Sequence, residues 1–266
     1  MADPFQDVDS AGPEFIKSFA DAMDVRQSGP AMEAIVAAYL AQLTFSPGCI
    51  TVEVGSGAGA VARRIAQAAH PEHVIGIDPS EGFAAEARVR AAAHDNLRFE
   101  VASGTDLPFA DASVDHVIQH TVLSHVTEPP ALIAEAARVL KPGGTLIVCD
   151  ADFAKATMGS FPHDPLDCCA RLFEKGFVTD AHIVGKLRTL MDGAGFEVSS
   201  FDVVSRPVTS GSQMRVWVEV TTAQMVERGE IGAPLAAALL DEHDRRVAAG
   251  TFYGHQVFAT AIARKG

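Results

Sequence analysis

The residues best suited to chemistry fall in three places. Gly55-Ser56-Gly57-Ala58-Gly59 follows the apolar run Ile50-Thr51-Val52-Glu53-Val54 and precedes a helical stretch from Val61 to Ala69. Three glycines at alternate positions let backbone approach a ligand where side chains would collide. Asp78 closes the next apolar run, Val74-Ile75-Gly76-Ile77, where a carboxylate can accept both hydroxyls of a ribose. Further on, Gln119-His120-Thr121-Val122-Leu123-Ser124-His125 supplies two imidazoles, and Asp150 and Asp152 supply carboxylates. An imidazole titrating near neutrality suits a general base. Each feature also has a plainer reading. Gly55-x-Gly57-x-x-Ala60 satisfies the dinucleotide fingerprint of nicotinamide enzymes, and Asp78-Pro79-Ser80 can be no more than a helix start.

The elements that must hold these residues alternate. Short apolar runs at 50–55, 73–77, 97–102, 114–119 and 144–150 are expected as strands, with helices near 58–69, 80–93 and 128–140 between them. That alternation predicts βαβ units and a parallel sheet, and Thr145-Leu146-Ile147-Val148-Cys149 is as continuously apolar as a buried parallel strand requires. Two helices over 13–43, parted by Gly29-Pro30, form an N-terminal cap over 1–46, ahead of a main domain at 47–266. Within that domain, helices are expected at 165–175 and 180–193, a strand near 196–206 and a final strand over 252–264. Segments 151–178 and 211–248 read as insertions on the acceptor side. The fold class expected is α/β: a Rossmann-like seven-stranded, mostly parallel sheet with helices on both faces.

Composition narrows the setting. The chain has 266 residues, 48% of them hydrophobic, which suffices for one large core and a cap. A formal net charge of −13 with scattered Lys and Arg repels phosphate backbones, so nucleic acid is not an expected partner. Neither a signal peptide nor an apolar run of membrane-spanning length is visible, and Cys49, Cys149, Cys168 and Cys169 lack disulfide or metal spacing. A reducing cytoplasm without membrane attachment is the expected location. His120, Asp150 and Asp152 offer too few oxygen ligands for magnesium, and no metal is expected.

Two later segments carry a resemblance. Leu107-Pro108-Phe109 precedes the fourth strand, and Arg138-Val139-Leu140-Lys141-Pro142-Gly143-Gly144 precedes the fifth. With the acidic-x-Gly-x-Gly-x-Gly loop from Glu53 and the acidic end of strand two, the sequence resembles the class I S-adenosylmethionine-dependent methyltransferases. It is most similar to the ubiquinone/menaquinone and natural-product branch. The resemblance implies S-adenosylmethionine as cofactor, with Glu53 toward the methionine amino group and the backbone of Gly55, Gly57 and Gly59 along methionine and ribose. Asp78 would take the ribose hydroxyls, Phe83 would cover the adenine, and Ser103 and Gly104 would meet its edge. Ser103 stands where the family often has Asp. Gln119 is expected to face the methionine part.

For the chemistry, the resemblance to sugar-hydroxyl methyltransferases implies His125 as base and Asp150 as its partner or as a substrate anchor. Phe15, Phe19, Met23, Phe153, Met158, Phe161, Phe173, Met214, Trp217 and Met225 supply an apolar cap suited to a flat or greasy acceptor. If the first helices fold down as a lid, Arg26 and Gln27 reach the cofactor carboxylate. The expected activity is methyl transfer to O, N or C of a small, biosynthetic metabolite, by a chain that can form a homodimer. The rivals are a nicotinamide-dependent oxidoreductase and a non-methylating protein that binds S-adenosylmethionine structurally.

Overall fold

A computed structural model describes residues 3–209 and 214–266. Helices α1 (Pro13–Gln27) and α2 (Pro30–Leu40) precede the sheet, each with proline in its first turn, where the missing N–H costs nothing. The chain continues through β1 (Ile50–Val54), α3 (Ala62–Ala69), β2 (His73–Asp78), α4 (Glu81–Arg90), β3 (Leu97–Val101), β4 (Val114–His120), α5 (Pro129–Val139) and β5 (Leu140–Ala151). It ends with α6 (Pro165–Phe177), α7 (Leu187–Gly193), β6 (Phe196–Val208), α8 (Arg215–Glu227), α9 (Ala233–Ala248) and β7 (Gly254–Lys265).

The seven strands lie in the order β3-β2-β1-β4-β5-β7-β6, parallel except for β7, which runs antiparallel to both β5 and β6. Strand order reverses between β1 and β4, the place where open α/β sheets leave a crevice at their carboxyl edge. The glycine loop after β1 and the Thr121–His125 turn after β4 flank that crevice.

Alternation along the strands sorts side chains into two cores. Ile118 and Ile147 join one with Met32, Ile35 and Tyr39 of α2, Ile65 of α3 and aromatic residues of α6 and α8. Val52, Val54, Val117, Leu146 and Val148 join the other, with Leu132 and Ile133 of α5 and Met191 of α7. Successive residues of a strand face opposite sides, and this single rule decides which polar residues of β4 and β5 meet the crevice.

The alternating pattern predicted the βαβ half closely and the C-terminal half coarsely. β5 starts at Leu140 instead of 144, because Lys141-Pro142-Gly143-Gly144 continues the strand with Gly143 at φ 75° instead of ending the helix in a free turn. The helix expected over 180–193 resolves into a 3₁₀ turn, Ile183–Lys186, followed by α7. Of the expected 1–46 cap and 211–248 insertion, residues 1–2 and 211–213 lie outside the described residues. Among the described residues no helix is long and apolar enough to cross a membrane.

Candidate active site

Three adjoining cavities occupy the carboxyl edge of the sheet. The largest, about 460 Å³, is lined by Val54, Gly55, Gly57, Asp78, Phe83, Ser103, Gly104 and His125, among others. A small one of about 40 Å³ is lined by Arg26, Gln27, Glu53, Gly55, Gly57, His120 and Thr121. The third, about 100 Å³, is walled by Phe5, Phe19, Phe153, Phe173 and Trp217, with Arg26, Arg206, Gln256 and His125. Thr121 borders all three. Its φ is 57°, a left-handed conformation that a β-branched side chain resists, so backbone strain sits at the meeting point of the cavities.

The glycine loop is shaped for a ligand. Gly55 has φ 72°, and a Cβ there would lie 2.5 Å from a methyl of Val122. Only glycine both adopts that backbone and leaves the wall flat. Asp78 ties the loop down: one carboxylate oxygen accepts the Gly57 amide at 2.8 Å and the other the Ser80 amide at 3.0 Å. The helix start is served by Ser80, whose Oγ accepts the Phe83 amide at 3.0 Å. Asp78 thus borders the cleft and braces the loop at once, and burial pushes its carboxyl up to about 6. Phe83 is held in the first turn of α4 among Val8, Phe19 and Ala58. Ser103 Oγ lies 2.8 Å from Thr105 Oγ1 on the exposed rim.

Glu53 is 2% exposed, and its Oε2 has no partner among the described residues. Burial, and then the charge of Asp78, drive its carboxyl well above the ordinary range. A group so placed takes up a proton when alone and ionises against a cation, and the ammonium of a methionine moiety would meet it in the small cavity. The large cleft has the volume expected of a cofactor site, with a carboxylate and a backbone cradle. These residues fit S-adenosylmethionine.

His125 stands where the cleft meets the aromatic chamber. Its Nδ1 lies 2.9 Å from Asp3 Oδ2, and Asp3 is 6% exposed. Thr179 Oγ1 donates to the same oxygen at 3.0 Å and the Phe5 amide to the other at 3.0 Å. The Phe5 ring packs on the imidazole with centroids 4.7 Å apart. A buried carboxylate on Nδ1 sets the tautomer and presents Nε2 as the remaining polar atom, the arrangement of a general base. The N-terminal segment is pinned at its far end as well, where Asp9 accepts Ser80 Oγ at 2.7 Å and the amides of Glu81 and Gly82.

Three expectations change. Asp150 is fully buried and lines none of the three cavities; it accepts the amides of Ser124 at 3.2 Å and Ala151 at 2.8 Å. It braces the turn that carries His125, and the carboxylate on the imidazole is that of Asp3. The cause is strand alternation, which turns Ala151 toward the chamber and Asp150 away. Gln119 lines none of the three cavities, and its neighbour His120 lines the small one instead. Gly59 lies outside the cleft, backed by Phe99. By contrast Arg26 and Gln27 reach the small cavity as a lid would place them. His120 Nε2 is 3.1 Å from Gln27 Nε2 and its Nδ1 3.2 Å from the Tyr39 hydroxyl. Burial, with Arg26 and Arg64 nearby, pulls its pKa down to about 3, so the ring is neutral and its nitrogens are committed.

Of the apolar residues expected over the acceptor, Phe19, Met23, Phe153, Phe173 and Trp217 line the chamber, while Met158 and Met214 are core and Phe161 is exposed. Phe173 and Trp217 stack with centroids 4.3 Å apart and planes 8° from parallel. Several residues of this site have little or no sequence signal: Asp3, Phe5, Arg206 and Gln256 belong to no local motif, and Thr121 has a signal only in its backbone.

Residues 52–148 match the model of a methyltransferase domain. The chain is 27% identical over 260 residues to an uncharacterized 37.1 kDa protein in a transposon of Streptomyces fradiae, covering 96% of this chain and 73% of that protein. It is 42% identical over 93 residues to a demethylmenaquinone methyltransferase of Clavibacter sepedonicus, a stretch covering 35% of this chain and 38% of that enzyme. Among solved structures, the [4+2]-cyclase SpnF superposes with a TM-score of 0.56 at 21% identity, over 88% of this chain and 82% of the cyclase. The nicotinamide alternative finds no support in these matches. With the cofactor cradle, the motifs and the domain match in agreement, residues 52–148 carry a methyltransferase domain of the kind that uses S-adenosylmethionine.

Proposed function

We propose that the protein transfers the methyl group of S-adenosylmethionine to O, N or C of a small, apolar or aromatic metabolite in a biosynthetic reaction. The observation that carries this reading is the junction at Thr121 and His125, where a cofactor-sized cleft opens into a chamber walled by aromatic rings. When bound, the cofactor supplies an electrophilic methyl on a sulfonium, for in-line displacement. Asp78 takes the ribose hydroxyls, Glu53 the methionine ammonium, Phe83 one adenine face, and Ser103 with Gly104 its edge. Residues 1–46 act as a lid over the main domain, and Phe5 helps exclude water.

Where the acceptor is a hydroxyl, an ammonium or a carbon acid, its proton passes to Nε2 of His125, before the new bond to carbon forms in the case of an ammonium or carbon acid and as it forms in the case of a hydroxyl. Asp3 holds the imidazolium that results. The carbon–sulfur pair stays on sulfur, leaving S-adenosylhomocysteine.

Calorimetry with S-adenosylhomocysteine, followed by labelled-methyl transfer across phenols, amines, quinones and organic acids, tests the reading. Binding with transfer to at least one class is expected, and His125→Ala should lower turnover by roughly 10²-fold or more at unchanged cofactor affinity. Binding without transfer to any acceptor would favour the structural-cofactor alternative. Unchanged turnover in the His125 variant would remove the base.

A further inference from the structure

The chamber contains a cation that the methyl-transfer reading leaves unused. Arg206 on β6 is 3% exposed, and Gln256, its cross-strand partner on β7, is 7% exposed. The guanidinium donates through Nη1 to the Gln256 side-chain oxygen, and no carboxylate pairs with it among the described residues. Buried arginines are ordinarily paired, since an isolated charge in a low-dielectric interior is costly. This chain follows that habit elsewhere: Arg246, 5% exposed, donates to Asp164 at 2.6 Å and to Glu242 at 2.7 Å.

A second cation aggravates the imbalance. Arg26 borders the same chamber, donates to Thr121 Oγ1 at 3.1 Å, and has a buried Nε without a partner among the described residues. Burial and then the charge of Arg26 pull the Arg206 guanidinium down to about 10. The two arginines have different outlets. Arg26 also lines the small cavity beside Glu53, at the methionine end of the cleft, whereas Arg206 lines the chamber alone. The cofactor's own carboxylate can therefore answer Arg26 but leaves Arg206 unmatched.

We propose that the methyl acceptor is a small organic acid, whose carboxylate docks on Arg206 beside Gln256 while its apolar part lies against Phe153, Phe173 and Trp217. A planar carboxylate matches the guanidinium fork in charge and shape. The atom methylated is a different one, since a carboxylate paired with a guanidinium is a weakened nucleophile. At about 100 Å³ the chamber is smaller than the ~150 Å³ cavity that holds a benzene, which restricts the acid to a short chain, or to a single ring that extends past Thr121 and His125 into the adjoining cleft. The proposal rests on the methyl-transfer reading of this site and specifies its substrate class.

Trp217 is the chain's one tryptophan, so its fluorescence reports the chamber directly. The test titrates the full chain, saturated with S-adenosylhomocysteine, with benzoate and 3-methylbutanoate, each against its primary amide. At least one carboxylate should bind tenfold or more tightly than its amide. Arg206→Met should abolish that preference, leave S-adenosylhomocysteine affinity unchanged, and raise the melting temperature of the free protein by removing an unpaired buried charge. Should that variant not fold, Arg206→Lys is read instead and should reduce the preference severalfold. Equal binding of acids and amides, no binding of either acid at millimolar concentration, or an acid preference that survives the substitution would each overturn the proposal. Failure of S-adenosylhomocysteine to bind would instead refute the cofactor reading beneath it.

Discussion

Replacing Asp78 by Asn should trade cofactor affinity for stability in a pH-dependent way. In the fold, burial raises its carboxyl from 3.8 to about 6, against the opposing pull of the Ser80 and Gly57 amides. An acid with a folded value above its unfolded one binds more protons when folded. The folded state is therefore penalised as pH rises from 3.8, and the penalty is complete above 6. At ~1.4 kcal/mol per tenfold change it reaches about 3 kcal/mol, of which about 2 kcal/mol develops between about pH 4.5 and about pH 8. The amide of the Asp78→Asn variant cannot ionise, but it loses one of the two amide-accepting oxygens at every pH, a flat cost of about 1–2 kcal/mol. Urea unfolding of both proteins without cofactor should show the variant gaining about 2 kcal/mol on the wild type across that range. For the wild type, S-adenosylhomocysteine affinity should climb up to about tenfold per pH unit below 6 and level off above it, because ribose hydroxyls donate to the ionised form. The variant should bind on the order of a hundredfold more weakly near neutral pH, having lost charge-assisted bonds. A stability difference flat to within about 0.5 kcal/mol, or undiminished affinity, would refute the argument.

Asp3→Asn should reduce turnover roughly tenfold to a hundredfold with cofactor affinity intact, since the amide can hold His125 in the wrong tautomer; equal turnover would leave Asp3 a mere tether. Gly55→Ala should cost roughly 2–4 kcal/mol of stability through its left-handed backbone and the Val122 clash, and adding Val122→Ala should recover only the clash part in chemical denaturation. Arg246→Met should destabilise by about 3–5 kcal/mol, because it strands the fully buried Asp164 carboxylate, and a loss below ~1 kcal/mol by the same assay would contradict that.

What the sequence alone determined is what local pattern encodes. The βαβ alternation predicted β1 through β5, and the glycine loop, Asp78, Phe83 and Gly104 come together at the cleft because each sits at a strand end or in the crossover that follows it. Short-range spacing carries such information, because a strand end and the helix start after it are fixed by the same few residues. Tertiary structure alone decided who partners whom across the chain. Asp3 meets His125 from 122 positions away and Gln256 meets Arg206 from 50. Asp150, beside the site in sequence, turns its back on it, since one step along a strand reverses the face a side chain presents. Burial does the rest: Arg206 reads as an ordinary surface type, and the spacing that marks Glu53 and Asp78 says nothing of their desolvation, until the fold removes water from around all three and their charges require partners that a ligand can supply.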